Sequence, residues 1–205
     1  MTPRALIFDF DGVLVDLEPL HMKAWQEVLK PIDLTFSDKD YEERYLGLND
    51  RDFLALRFKE AGKKLSQTLC NELIQKKEHK TTKFFSKEIP LIDGVQDFLK
   101  KVSQKYPLAI VTGGLSNEVY FVLDHLKWRP LFKIIITSGD VQKGKPDPEG
   151  FLKAYEKLKN LCEWNPPLQK SECLIFEDSQ YGMEAAKRAG IPFVQVRGSL
   201  RGFDY

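Results

Sequence analysis

Five short apolar runs, each broken off by a cluster of glycine, hydroxyl-bearing or charged residues, constrain this chain more than any other feature. They are Ala5 to Phe8, Leu108 to Val111, Ile134 to Ile136, Leu174 to Phe176 and Ile191 to Val196. None alternates polar with apolar residues. Continuous runs of this length suit strands buried on both faces, as in a parallel sheet covered by helices. Helix-like segments separate the last four runs. Leu115 to Lys127 is one, and Asp147 to Lys159 is another, with Pro148 in its first turn, where a missing N–H costs nothing. Ser179 to Ala189 is the third, opened by a capping serine and closed by Gly190. This alternation predicts an α/β fold, a doubly wound, Rossmann-like parallel sheet with right-handed crossovers.

The stretch from Asp16 to Lys87 interrupts the alternation. It is charged and poor in strand signals, with apolar stripes at helical spacing: Trp25, Val28 and Leu29 on one, Leu69, Leu73 and Ile74 on another. Four helices would fit. We read it as an inserted α-helical cap domain, residues 16–87, on a core made of residues 1–15 and 88–205. Its hinges are expected near Val15-Asp16 and between Ser86 and Pro90. A length of 205 residues accommodates one α/β domain with such a second lobe. The chain stops soon after Val196, so little is expected beyond the fifth strand.

Composition excludes several functions. A net charge of +1 gives no field for a polyanion, and lysines and aromatics do not gather in a basic block, so no nucleic acid is expected as partner. No apolar run approaches the roughly 18 residues of a membrane helix, and the apolar stretch behind Met1-Thr2-Pro3-Arg4 is too short for a signal peptide. The three cysteines, Cys70, Cys162 and Cys173, are scattered and form no C-x-x-C, which argues against a disulfide framework or a zinc site. A cytoplasmic, reducing setting without membrane contact is expected.

Ligands of open parallel sheets bind at the carboxyl ends of the strands. Asp9-Phe10-Asp11-Gly12-Val13 comes after the first run, Thr112-Gly113-Gly114 after the second, and Glu177-Asp178-Ser179 after the fourth. The third leads into Thr137-Ser138-Gly139-Asp140 and then Lys143-Gly144-Lys145-Pro146. Four segments thus bring carboxylates, a hydroxyl and a lysine to one edge. Asp9 and Asp11 can divide the labour of nucleophile and proton donor. Asp9, Asp11, Glu177 and Asp178 together would repel one another without a cation, and hard oxygen ligands favour Mg²⁺, which also takes a substrate phosphate. Lys145, the Thr112 hydroxyl and the backbone around Gly113 and Gly114 would hold the phosphate from its other side. The chemistry that fits is phosphoryl transfer through an aspartyl-phosphate on Asp9, with Asp11 as acid and then base, and with the cap closing to exclude water. Gly139-x-x-x-x-Gly144-Lys145 copies the spacing of a phosphate-binding P-loop. Pro146, though, stands where a Ser or Thr hydroxyl is required.

These residues, in this order, resemble the haloacid dehalogenase-like superfamily. Its D-x-D-G-[TV] motif is matched by Asp9 to Val13, its strand-terminal Thr or Ser by Thr112, its lysine by Lys145 and its acidic pair by Glu177-Asp178. The resemblance spans essentially the whole chain. The position of the insertion resembles the small α-helical cap subclass, and Asp16 to His21 with Trp25 resembles the branch of β-phosphoglucomutase and sugar-phosphate phosphatases. The resemblance implies a Mg²⁺-dependent phosphatase of small phosphorylated metabolites that works as a monomer, with His21, Arg51 and Lys77 of the cap touching the substrate. A second aspartate at Asp11 favours phosphate esters over dehalogenation. Leu17 stands where the mutase has Thr, and Asp50 stands where it has a cap Arg; both favour hydrolase over mutase, while His21 matches the mutase. A phosphomutase, or a non-catalytic phosphometabolite-binding protein, is the alternative.

Overall fold

The computed structural model describes residues 2–46, 48–161 and 163–196. Five parallel strands form one sheet: β1 (Ala5–Phe8), β2 (Leu108–Val111), β3 (Phe132–Ile136), β4 (Cys173–Glu177) and β5 (Phe193–Gln195). Their spatial order is β3-β2-β1-β4-β5. The chain runs outward from β1 to β3, then returns to the far side of β1 for β4. Right-handed crossovers put connections that run in opposite directions on opposite faces. Between β1 and β4 the direction changes, and there the crevice outside the strand ends opens. Residues 8 and 176 are paired in register across those two strands, so Asp9 and Glu177 leave the sheet side by side.

The helices are α1 (Glu18–Leu29), α2 (Asp38–Asp40), α3 (Asp50–Glu60), α4 (Gln67–Phe85), α5 (Val95–Val102), α6 (Ser116–His125), α7 (Glu149–Leu161) and α8 (Gln180–Ala189). One face of the sheet, with Ile7, Ala109, Val111 and Ile175, packs against Phe151, Ala154 and Leu158 of α7 and Ala185, Ala186 and Ala189 of α8. On the other face Phe8 stacks on Phe176 at 4.8 Å and meets Phe98 of α5 edge-on at 6.2 Å. Side chains alternate across a strand, so Ile7 and Phe8 serve opposite layers. Each such side chain contributes on the order of 1.5–3 kcal/mol by leaving water.

The central strands β1 and β2 are buried at every position. The fifth run behaves differently from its neighbours. Only three of its six residues are strand, and Val194 is 45% exposed. An edge strand has one neighbour, and this one is covered less than its apolar composition suggests.

Residues separate into two compact units, Met1–Leu17 with Ile89–Tyr205, and Glu18–Glu88. The boundaries fall two residues and one residue later than those read from the sequence. Within the first unit, Asp16 N–H donates to the Pro90 carbonyl at 3.0 Å, and Val15 bridges Leu91. The departing and returning chains are therefore pinned together.

The second unit has its own core of Trp25, Leu29, Phe53, Leu54, Cys70 and Leu73. Its described residues form four helices, three of them long and one, α2, a single turn. A Ser37–Asp40 capping box starts α2, which runs into a wide π-helical turn at Tyr41–Tyr45. The stripe on α4 runs through Cys70, Leu73, Lys77, Thr81 and Phe85, so it includes polar groups that an apolar pattern passes over. No helix among the described residues is long and apolar enough to cross a membrane. Cys70 and Cys173 are buried free thiols; Cys162 lies outside the described residues.

Candidate active site

Asp9 is the first residue past β1. Its N–H donates to the Phe176 carbonyl at 2.9 Å, which continues the β1–β4 pairing by one step. That step sets the Asp9 carboxylate beside Glu177 at the end of β4. Lys145 arrives from the loop between β3 and α7. Its ammonium donates to Asp9 Oδ1 at 2.6 Å and to Glu177 Oε1, and it lies 5.3 Å from the centre of the Phe151 ring.

Glu177 is wholly buried. Its other oxygen accepts from the backbone N–H of Ser179 at 2.8 Å and from the Ser179 hydroxyl at 3.1 Å. Ser179 Oγ in turn accepts from Gly182 N–H at 3.0 Å and caps α8. A Cβ on Gly182 would stand 1.7 Å from Glu177 Oε1, so the helix approaches the carboxylate only because that residue is glycine. Sequence reasoning missed this dependence of the acidic pair on a glycine five residues on, although the spacing Ser179-x-x-Gly182 carries it.

The charges shape one another. Burial pushes Asp9 up to about 7; the Lys145 ammonium works against that, and the Glu177 and Asp178 carboxylates add to it. Burial acts against the Lys145 charge, but Asp9 and Glu177 outweigh it and hold the ammonium above its ordinary value. A proton or a cation is thus favoured among these carboxylates.

Asp9, Glu177 and Asp178 each offer one oxygen within 4.8 Å of the others. Three hard oxygen donors at that spacing fit Mg²⁺, which keeps water and substrate oxygens in its remaining positions. Asp11, the fourth carboxylate expected to hold the cation, is not one of these three. Its Oδ1 accepts the Leu17 N–H at 2.7 Å across the turn that ends β1.

That turn depends on Gly12, whose φ is +83° and whose N–H donates to the Val15 carbonyl at 2.7 Å. A Cβ there would lie 2.1 Å from Asp178 Oδ2. The substitution Gly12→Ala combines a strained backbone with a displaced Asp178 carboxylate. It is expected to weaken Mg²⁺ binding at least about tenfold, roughly 1.4 kcal/mol, when Mg²⁺ is titrated into the purified protein. Unchanged affinity would mean that Asp178 has no part in holding the cation.

Thr112 is the first residue past β2, nearly buried, and its Oγ1 accepts the Gly114 N–H at 3.0 Å. The backbone donor of Gly114 is therefore already engaged. Gly113 beside it is exposed and has open space around its Cα. Ser116 at the start of α6 shares a 2.6 Å hydroxyl contact with Thr137 past β3. Thr137 also donates to Asp140 at 2.8 Å. This network ties the second and third loops together, and no motif in the sequence signals it.

His21, Arg51 and Lys77 all lie in the helical unit. His21 sits on α1 with its ring edge-on to Phe85 at 5.8 Å, and its Nδ1 is buried with no hydrogen-bond partner. Burial first, and the Lys77 charge second, hold the imidazole well below its ordinary pKa. Lys77 on α4 is buried and pairs with Asp50 at 3.2 Å. Arg51 is exposed in the first turn of α3, whose N-cap is Asn49.

Residues 6–196 match the family described as haloacid dehalogenase-like hydrolase. The fructose-1-phosphate phosphatase of Escherichia coli is 32% identical, over 94% of this chain and 95% of the relative. The β-phosphoglucomutase of Bacillus subtilis is 30% identical, over 94% of this chain and 83% of the relative. Among solved structures, a HAD hydrolase of family IA, variant 3, from Entamoeba histolytica superposes with a TM-score of 0.80 at 26% identity, covering 98% of this chain and 86% of that one.

Proposed function

We propose that this chain, which belongs to the haloacid dehalogenase-like hydrolase family, hydrolyses the phosphoric monoester of a small metabolite, a sugar phosphate, through an aspartyl-phosphate on Asp9. The observation that carries this reading is the ammonium of Lys145 held between Asp9 and the buried Glu177 at the carboxyl edge of the sheet, with Asp178 in the same cluster. A nucleophilic carboxylate, a fixed cation and a divalent-cation cradle at one point are what attack on a phosphate dianion requires. The relatives that match over most of their length include a fructose-1-phosphate phosphatase, which supports the sugar-phosphate class.

In the proposed reaction an Asp9 oxygen attacks phosphorus in line. The bond from phosphorus to the ester oxygen breaks, and Asp11 gives that oxygen its proton. Asp11 then removes a proton from water, whose oxygen attacks the phosphoryl group on Asp9. Phosphate leaves and the Asp9 carboxylate is restored. Lys145 stays beside the transferring oxygens throughout and stabilises their charge. The Thr112 hydroxyl and the Gly113 backbone hold the phosphoryl oxygens. Asp9, Asp178 and Glu177 would hold Mg²⁺, which would supply further positive charge to the transferring phosphoryl group. The Leu17 N–H bonded to Asp11 fixes that carboxylate, which serves the ester oxygen. His21, Arg51 and Lys77 meet the remainder of the substrate. The protein works as a monomer in a reducing, cytoplasmic setting; its buried, unpaired thiols accord with that.

A sugar hydroxyl could replace water in the second step, and the 30% identity to a β-phosphoglucomutase favours keeping that reading. The test is phosphate release from a panel of sugar and polyol phosphates, with Mg²⁺ and with chelator. Hydrolysis is expected at least about 10²-fold faster with Mg²⁺. Conversion of β-glucose 1-phosphate to glucose 6-phosphate without free phosphate would replace hydrolase by mutase. No turnover of any ester would overturn the assignment.

A further inference from the structure

Lys145 needs its ammonium at one point between two carboxylates, but a charge on a long, flexible stem does not fix the backbone that carries it. Residues 142–144, just before it, are exposed, so apolar packing does not set their path. Glu149, the first residue of α7, holds them instead. Its Oε2 accepts the Lys143 N–H at 3.0 Å, and the Gln142 N–H lies 3.1 Å from both of its oxygens. Its Oε1 also accepts the Lys153 ammonium at 2.6 Å, and the same ammonium donates to the Asp140 carbonyl at 2.8 Å. The two ends of the loop are thus clasped to the first turn of α7.

The start of α7 is itself fixed. Gly150 is buried, and a Cβ there would stand 2.8 Å from Val111 Cγ1, so the helix begins close against β2. Phe151 follows, buried, with the Lys145 ammonium 5.3 Å from the centre of its ring. The Lys153 bond first, and the Gln142 and Lys143 N–H groups after it, hold the Glu149 carboxyl down at about 2. Both of its oxygens face donors. An amide in that place would set its own NH₂ against a donor whichever way it turned.

We propose that Glu149, braced by Lys153, is a positioning residue for the reaction: by clasping the Gln142 and Lys143 backbone to the start of α7 it fixes the loop so that the Lys145 ammonium meets Asp9 and Glu177. This rests on the phosphatase reading above, and the experiment separates the two.

Glu149→Gln is expected to lower kcat about 10²-fold, the scale of a slightly misplaced reacting group, with thermal unfolding reporting whether the variant is folded. The loss falls on kcat more than on KM, because Lys145 acts on charge that develops in the transition state. In a Lys145→Met background the same substitution is expected to cost less than about threefold, since a lysine that is gone cannot be misplaced. A merely structural role would cost the same in both backgrounds. A folded Glu149→Gln with wild-type kcat, or with equal losses in both backgrounds, overturns the proposal.

Labelling with acetic anhydride, read by peptide mass mapping, needs no turnover. Between Asp9 and Glu177 the Lys145 amine is sheltered and kept protonated, and so unreactive. In Glu149→Gln it is expected to react at least about tenfold faster, relative to Lys39, whose side chain is 80% exposed. Unchanged labelling of Lys145 in the folded variant overturns the proposal. Should no ester be hydrolysed while that labelling rises, the phosphatase reading falls and the role of Glu149 stands. Should Glu149→Gln fail to fold, Lys153→Met, which removes the brace and keeps the carboxylate, decides by the same kinetics and the same labelling, with a loss of about tenfold expected in kcat.

Discussion

Asp9→Asn is expected to lower kcat for phosphate release by at least about 10⁴-fold while leaving the protein folded. Loss of a nucleophile that acts as one unit with its neighbours costs of this order or more. The amide nitrogen and oxygen of Asn cannot form the phosphoryl intermediate, yet the amide is nearly the same shape as the carboxyl. The same residue sets a pH dependence of stability. Burial raises the Asp9 pKa from 3.8 to about 7, so the folded, metal-free protein binds this proton more tightly than the unfolded chain does. Stability from this group is therefore full below pH about 4 and is lost as pH climbs toward 7. Asparagine carries no proton to lose. Without Mg²⁺ at pH 8, Asp9→Asn is expected to unfold at a temperature equal to or above that of the wild type. Steady-state kinetics and thermal unfolding check the two halves. A variant that retains a tenth of the wild-type rate would remove Asp9 from the role of nucleophile.

Lys145→Met is expected to cost about 10³-fold in kcat/KM and to destabilise the protein as well. The ammonium donates to both Asp9 and Glu177, and Glu177 is 0% exposed. Removing one partner of a buried ion pair leaves an uncompensated charge, at a cost of about 3–5 kcal/mol. Methionine replaces the stem but not the charge. The surviving carboxylates then repel one another, and added Mg²⁺ is expected to recover more of the lost melting temperature in Lys145→Met than it adds to the wild type. Arginine should not restore activity, because its planar fork does not fit a point between two close carboxylates. Wild-type stability in Lys145→Met would mean that the ion pairs contribute nothing to the fold.

The carboxyl edge of the sheet is legible in the sequence because it is built locally. The first three apolar runs stop where their strands stop and the fourth stops one residue short, so the positions of Asp9, Thr112 and Glu177 alone put them at strand ends. Lys145 is legible for a related reason, since Pro146 removes the P-loop reading and leaves the lysine to the neighbouring strand ends. The hidden part depends on contacts between distant residues. Gly12 makes room for Asp178, far along the chain, and the Asp9-x-Asp11 pattern does not show it. The sequence places Asp11 with the other carboxylates, but the bond it accepts from the Leu17 N–H is a property of the turn and is not visible there. The glycines after Thr112 suggest free backbone donors for a phosphate, but the Thr112 hydroxyl takes the Gly114 N–H.

The helical unit is the least legible part. Its apolar stripes place the long helices, but the stripe on α4 continues through Lys77 and Thr81, which are buried. Lys77 is buried because Asp50 waits for it on another helix, and neither residue signals that pairing by itself. The brevity of α2 has a similar origin. Ser37 and Asp40 satisfy each other's backbone donors, and the tyrosines after them are drawn into the aromatic cluster around Phe36 and Phe53. Tertiary packing overrides local propensity in such a segment.

The central claim is that phosphorus passes through Asp9. The most direct test mixes the Mg²⁺-loaded protein with a sugar phosphate carrying radioactive phosphorus, quenches in acid within the first turnover and maps the labelled peptide. The account predicts label on the peptide that contains Asp9, released by hydroxylamine as an acyl phosphate is, and absent from Asp9→Asn. Phosphate release with no protein-bound label at any time, or label on another residue, would contradict it.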